Sequence, residues 1–220
     1  MRPTKLKGRL LLCAQMTREG SRLADIGTDH AYLPIALCAE GKIPSALACD
    51  INPLPLRSAN ENIAAFGLSD KIQTRLCDGL SGVGTDEADD IVIAGMGGEL
   101  IASIIEACEW LKDGEKRLIL QPMTRHAALM RRLYANGFAV IRQEAVLDDG
   151  KYYTVLLTRY DGVIRKCDTY TATAGELKPD SEASVGFLKK CLDQLRKQSI
   201  GDPALLPDVK RLEDLLNEDK

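Results

Sequence analysis

The segment Leu23-Ala24-Asp25-Ile26-Gly27-Thr28-Asp29-His30-Ala31-Tyr32-Leu33-Pro34-Ile35 constrains the fold more than any other part of the chain. Ser21 to Ala24 reads as a short apolar strand with Asp25 at its carboxyl end, and Tyr32, Leu33, Ile35, Ala36 and Leu37 continue at helical spacing. A strand that enters a helix through a one-glycine turn is the first crossover of a doubly wound sheet, and such sheets bind ligands beyond the carboxyl ends of their strands. Gly27 supplies the tight turn and leaves room for a ligand. The same turn also serves as a bare connector.

The spacing selects among nucleotide-like ligands. A dinucleotide site uses Gly-x-Gly-x-x-Gly to bring a pyrophosphate against a helix N-terminus. Here Asp29 stands at the second glycine position and Tyr32 at the third. A carboxylate in that loop repels a pyrophosphate and suits a cationic ligand such as S-adenosylmethionine. Ala46 to Ile51 reads as a second strand with Asp50 at its end, at the distance where this fold places an acid on ribose hydroxyls. Lys71 to Gly79 repeats the format and ends in Asp78-Gly79, where an acid can meet an adenine amino group. One such Asp is ordinarily a turn or cap residue. Three on one sheet edge point to a nucleoside-type cofactor, with Asp25, Gly27, Thr28, His30, Asp50, Ile51, Asp78, Gly79 and Gly95 as candidate cofactor residues.

Composition excludes several other classes. The chain has 220 residues, 45% of them hydrophobic, and a net charge of -3, enough for one substantial core plus an appendage. No apolar run reaches the length of a membrane span, and the basic N-terminus lacks the long apolar stretch of a signal peptide. A cytoplasmic location is the expectation, with no membrane partner. Seven cysteines without a Cys-x-x-Cys pair, and two histidines, argue against a disulfide framework and a metal site.

Further elements alternate. Asn52 to Phe66 reads as a helix, Asp90 to Ala94 as a buried strand, Gly95-Met96-Gly97-Gly98 as a loop, and Glu99 to Leu111 as an amphipathic helix. Arg117 to Leu120 is the next strand, and after Gln121-Pro122 a helix runs to about Ala135. This order predicts a parallel sheet with both faces covered. Phe138–Val146 and Tyr152–Arg159 have only Asp148-Asp149-Gly150 as a turn between them, so they form an antiparallel hairpin. The expected fold is therefore α/β: a Rossmann-like, seven-stranded, mostly parallel sheet with an antiparallel terminal hairpin, as in class I methyltransferases. Residues 1–162 form this domain. Residues 163–220 form a small C-terminal α-helical hairpin domain, with apolar stripes at Phe187, Leu188, Cys191, Leu192 and Leu195 and at Val209, Leu212, Leu215 and Leu216. The polar stretch Lys166–Asp180 has little to bury. The arm is read either as a packing or oligomerisation element or as a substrate-binding device.

The run Ala24 to Ile35, together with Asp50-Ile51-Asn52-Pro53, Asp78-Gly79-Leu80 and Ile93-Ala94-Gly95-Met96-Gly97-Gly98, closely resembles the bacterial tRNA (adenine-22-N1)-methyltransferases. The resemblance continues through Leu120-Gln121-Pro122 and Gly150-Lys151-Tyr152-Tyr153 to the C-terminal helices. It implies transfer of a methyl group from S-adenosylmethionine to N1 of an adenine in the tRNA D-arm. It departs from the family at Met123-Thr124, where asparagine is common. Neutral N1 already carries a lone pair and methylation leaves the ring cationic, so a carboxylate beside it has a role in stabilising charge or accepting a proton from the exocyclic amine. Asp29 is the candidate catalytic residue; alternatively it caps the helix that follows.

Alternatives to this reading are a methyltransferase for another RNA or a small molecule, and a silent cofactor-binding module. Ala94 to Gly98 offers no side-chain acceptor of the kind used to hold an exocyclic amine, so Met96 and Gly97 become candidate neighbours of a ring nitrogen. Gly97 and Gly98 also suit a closely packed helix start. Despite the negative net charge, basic groups cluster at Arg2, Lys5, Lys7 and Arg9, at Arg125, Arg131 and Arg132, and at Lys189, Lys190, Arg196 and Lys197. Arg9 and Arg125, with Pro122, are candidate tRNA contacts flanking the mouth, and Tyr32 is a stacking surface or a core residue. A monomer is expected.

Overall fold

A computed structural model describes residues 5–217. Five strands run parallel: β1 (Leu23–Ile26), β2 (Ala46–Asp50), β3 (Ile72–Leu76), β4 (Asp90–Gly97) and β5 (Arg117–Thr124). β6 (Phe138–Asp148) and β7 (Lys151–Tyr160) form the hairpin, and β7 lies antiparallel beside β5. The order across the sheet is β3-β2-β1-β4-β5-β7-β6. The chain moves outward from β1 to β3 and returns to the other side of β1 at β4, which opens a crevice between the carboxyl ends of β1 and β4.

Side chains alternate between the two faces, as the period of a strand requires. Leu23, Ala46, Ala48, Val92 and Ile119 pack with α1 (Gly8–Met16), α2 (Tyr32–Ala39) and α3 (Pro53–Ala65). Ala24, Leu47, Ile91, Ile93, Leu118 and Leu120 face α4 (Gly98–Glu106) and α5 (His126–Ala135). Gly98 is fixed by this packing, because a Cβ there would lie 2.5 Å from the Arg125 carbonyl oxygen. The expected seven-stranded fold is thus observed.

Three local expectations need correction. The basic N-terminal segment contains a helix, α1, which buries Leu12, Cys13, Ala14 and Met16 and packs against β5, β6 and β7; its charged first half hides that pattern in the sequence. Arg2 lies outside the described residues. The glycine segment after Ala94 is extended rather than looped, as β4 continues to Gly97 with register shifts at Gly95 and Met96. Residues 166–180 also bury more than their polarity suggests. Within them α6 (Thr169–Ala174), capped by Asp168 accepting from Thr171 N–H at 2.7 Å, buries Tyr170, Ala172 and Ala174.

The C-terminal helices α7 (Glu182–Ser199) and α8 (Leu206–Asn217) share their own apolar cluster with α6. That cluster is docked on the hairpin. Gly186 lies so close to the Tyr152 ring that a Cβ would meet it at 2.2 Å, and Lys190 Nζ donates to the Tyr152 carbonyl at 3.3 Å. His126 Nδ1 donates to the Ala172 carbonyl at 3.2 Å, and burial holds that imidazole down at about 4, so it is neutral.

Candidate active site

Two adjoining hollows lie over the carboxyl edge of the sheet. One, of about 270 Å³, is bordered by Arg9, Asp25, Thr28, Asp29, His30 and Tyr32. The other, of about 320 Å³, is bordered by Asp50, Ile51, Asp78, Gly79 and Met96. Gly27, Ala94 and Gly95 border both. Gly27 holds φ +76°, and a Cβ on it would stand 2.3 Å from the Met96 methyl carbon. The left-handed backbone is what favours glycine at this crossing point, since the Met96 methyl is the end of a flexible side chain.

The three acids differ in their surroundings. Asp25 is the third residue of β1 and is buried; burial pushes its carboxyl up to about 6, the Thr28 hydroxyl donating at 2.6 Å pulls it down, and the charge of Asp50 adds to the rise. It is a carboxylate short of a cation. Asp50 ends β2 and accepts through Oδ1 from the Asn52 N–H at 2.8 Å and from its side-chain amide at 3.3 Å. Asp78 lies beyond the end of β3 in an exposed turn whose Ser81 N–H donates to the Asp78 carbonyl at 3.1 Å.

Asp29 does not cap the following helix. The N-cap of α2 is Ala31, at φ +57°, and no side chain bonds there. Asp29 itself holds φ +52°, its side chain is 70% exposed, and its carboxylate lies 3.6 Å from His30 Nε2. Two left-handed positions on non-glycine residues, 29 and 31, on either side of His30, are costly, and such strain concentrates at functional loops. Tyr32 is exposed beside His30, with ring centroids 5.2 Å apart, and so is not a core residue.

A third cavity, of about 480 Å³, opens between the start of α5, the hairpin and α7. Pro122, Met123, Arg125, Arg131, Tyr153 and Lys190 border it, and among the described residues Glu99 is its only acid. Arg125, at φ +57°, is mostly exposed and 4.0 Å from Glu99. Among the described residues, no three His, Cys, Asp or Glu side chains gather as a metal site requires, and no helix is long and apolar enough to cross a membrane.

A family model described as a methyltransferase domain matches residues 6–156. The curated tRNA (adenine(22)-N(1))-methyltransferase of Bacillus subtilis (strain 168) is 37% identical over 199 residues, which cover 89% of this chain and 84% of that protein. The chain belongs to this tRNA (adenine(22)-N(1))-methyltransferase family. Solved structures agree along the whole length. The m1A22 tRNA methyltransferase of B. subtilis superposes with a TM-score of 0.77 at 33% identity, covering 97% of this chain and 98% of that one. Sp1610 of Streptococcus pneumoniae, in complex with S-adenosyl-L-methionine, gives a TM-score of 0.82 at 34% identity, covering 95% and 98%.

Against that family background the candidate residues fall into distinct places. All the candidate cofactor residues border one of the two hollows. Pro122 and Arg125 belong to the arm cleft, and Gly97 is the N-cap of α4, with Thr124 Oγ1 at 3.4 Å from its would-be Cβ. Arg9 borders the first hollow, but its guanidinium is engaged by Asp148 at 2.6 Å. The basic groups are likewise sorted by their partners. Arg132 is paired with Glu106 and Arg196 with Glu213, whereas Arg131 and Lys190 are exposed on the cleft. Gln121, which sequence reasoning missed, is a wholly buried amide on the first hollow; its signal is a lone polar residue directly after the apolar run Leu118-Ile119-Leu120 within β5.

Proposed function

We propose that this protein methylates N1 of adenine 22 in the D-arm of tRNA, using S-adenosylmethionine held along the two hollows. The likeness to the B. subtilis enzyme, which extends through the C-terminal helices, carries this reading. The residues present suit the cofactor: a buried uncompensated carboxylate at Asp25 for an ammonium, acids at Asp50 and Asp78, and a glycine crossing at Gly27. When bound, the cofactor supplies a methyl group on a good leaving group, so the protein's task is alignment and exclusion of water. Asp29 places a carboxylate at the mouth of the first hollow, where it offsets the positive charge that adenine gains on methylation. The exposed Tyr32 ring offers the base a stacking surface. The basic arm cleft, whose border begins at Pro122, the residue after Gln121 of the first hollow, holds phosphates of the same strand. The decisive experiment incubates the protein with labelled cofactor and unmodified tRNA and maps the product nucleoside. 1-Methyladenosine at position 22 is expected; 6-methyladenosine or no transfer defeats the proposal.

Two quantitative expectations follow from the charges. An ammonium near Asp25 favours its ionised form, so protonation of the free carboxyl competes with the ligand as pH falls through about 6. Affinity for S-adenosylhomocysteine, which carries the same ammonium, should be highest above that point and fall about tenfold between pH 7 and pH 5. Calorimetric titration across this range checks it, and Asp25→Asn should flatten the profile. An unchanged wild-type affinity at pH 5 removes Asp25 from the ammonium site. For the arm cleft, Arg131→Glu with Lys190→Glu should raise the KM for tRNA about tenfold or more at moderate salt while leaving S-adenosylhomocysteine affinity unchanged. An unaltered KM leaves the cleft a packing feature only.

A further inference from the structure

Gly95 is the bulged residue of β4. The register pairs Ala94 with Gln121 and Met96 with Pro122, which leaves Gly95 without a partner across the ladder, at φ +80°. Its N–H donates instead to the side-chain Oε1 of Gln121, at 3.1 Å. Gln121 is wholly buried, and its Nε2 donates to the Pro122 carbonyl at 3.0 Å. A second donor, Arg9 Nη1, reaches the same Oε1 at 3.4 Å. Arg9 is itself held by Asp148, with its guanidinium beside the Met123 thioether and 5.0 Å from the Tyr153 ring centroid. The packing of α1 on the hairpin is close enough that a Cβ on Gly8 would meet the Asp148 carboxylate at 2.4 Å.

We infer that Gln121 and Arg9 are a positioning pair, in which Gln121 fixes the Gly95 peptide where the two hollows meet and Arg9 ties that peptide to the arm cleft. The inference rests on the proposed reading of the hollows as the cofactor site. A primary amide has two orientations that exchange its oxygen and nitrogen. The two donors on one side, Gly95 N–H and Arg9 Nη1, and the Pro122 carbonyl on the other select one of them. Gly95 borders both hollows, so the position of its backbone sets the passage between them. Pro122, Met123 and Tyr153 border the arm cleft, so the contacts of Gln121 and Arg9 place both cavities in one register. Neither side chain needs to touch the reacting atoms, and Arg9, neutralised by Asp148, is not a free phosphate contact.

The test uses the full-length protein and four variants. Gln121→Met keeps the volume and removes the acceptor for a buried N–H. It should weaken S-adenosylhomocysteine binding about tenfold in calorimetry and speed exchange of the Gly95 amide proton. Gln121→Glu keeps an acceptor of the same reach for the Gly95 N–H but loses the donor to the Pro122 carbonyl, so it should restore part of both. Arg9→Met lies on the part-exposed side and serves if the core variant does not fold. It should lower kcat on tRNA about tenfold while changing KM for tRNA less than about twofold. Because the two residues act as one unit, the double variant should lose no more kcat than the worse single variant. The inference is overturned by wild-type affinity and Gly95 exchange in Gln121→Met. It is equally overturned by an Arg9→Met protein whose KM for tRNA rises with kcat unchanged, the signature of a phosphate contact. Failure of the wild-type protein to form 1-methyladenosine would instead overturn the proposed reaction, and the calorimetric and exchange readouts would still decide the pair.

Discussion

Asp29→Asn should lower the rate of methyl transfer about a hundredfold at saturating cofactor and tRNA, with S-adenosylhomocysteine affinity changed no more than about threefold. Asparagine has the same shape and tolerates the left-handed backbone found at this position, so the loop keeps its path. The side chain is mostly exposed and makes no cap bond, so the fold loses nothing. What disappears is a negative charge at the mouth of the first hollow. That charge matters most once the docked base has displaced water, because a charge interaction strengthens as the local dielectric falls. Single-turnover rates with calorimetry alongside separate the two effects. A full transfer rate in the asparagine variant would end the electrostatic role assigned to Asp29.

The second large effect belongs to Asp50. Its Oδ1 already accepts from Asn52 twice, in a local turn that holds the carboxylate at the end of β2 and presents it to the second hollow. A ribose diol donating to this group forms charge-assisted bonds, the stronger class of hydrogen bond. Asp50→Ala removes those bonds and the local turn together. It should weaken S-adenosylhomocysteine binding about a hundredfold, leaving transfer measurable only at raised cofactor concentration. Calorimetric affinity within about threefold of wild type would show that Asp50 is a turn residue alone.

These two residues also show how differently sequence signals reach a structure. Asp50 was legible as an acid at a strand end, because strand ends are set by local apolar runs that survive inspection without a fold. Asp25 was placed at the end of a strand but lies inside β1, one residue before its last, because Ile26 continues the apolar run; Gly27 was legible as the turn, and the hairpin followed from two strand patterns separated by a turn with no room for a helix. Arg9 was legible only as a charge. Its partners, Asp148, Gln121 and Met123, lie more than a hundred positions away along the chain, so nothing local distinguishes a paired strut from a solvated cation. Arg132, tied to Glu106 earlier in the chain, and its neighbour Arg131, which stays exposed on the cleft, differ in the same hidden way. The α6 segment read as polar because three threonines mask small residues that become buried only when α7 and α8 arrive.

The strand–turn–helix at Leu23–Ile35 therefore determined, by itself, a doubly wound sheet with a ligand crevice at its carboxyl edge. The reason is that the backbone freedom of Gly27 and the alternation of apolar runs are properties of short segments. Tertiary structure alone decided which charges are spent within the protein and which face a ligand. It did so because an ion pair or a bulge partner such as Arg9 with Asp148, or Gln121 with Gly95, exists only after elements remote in sequence have packed together.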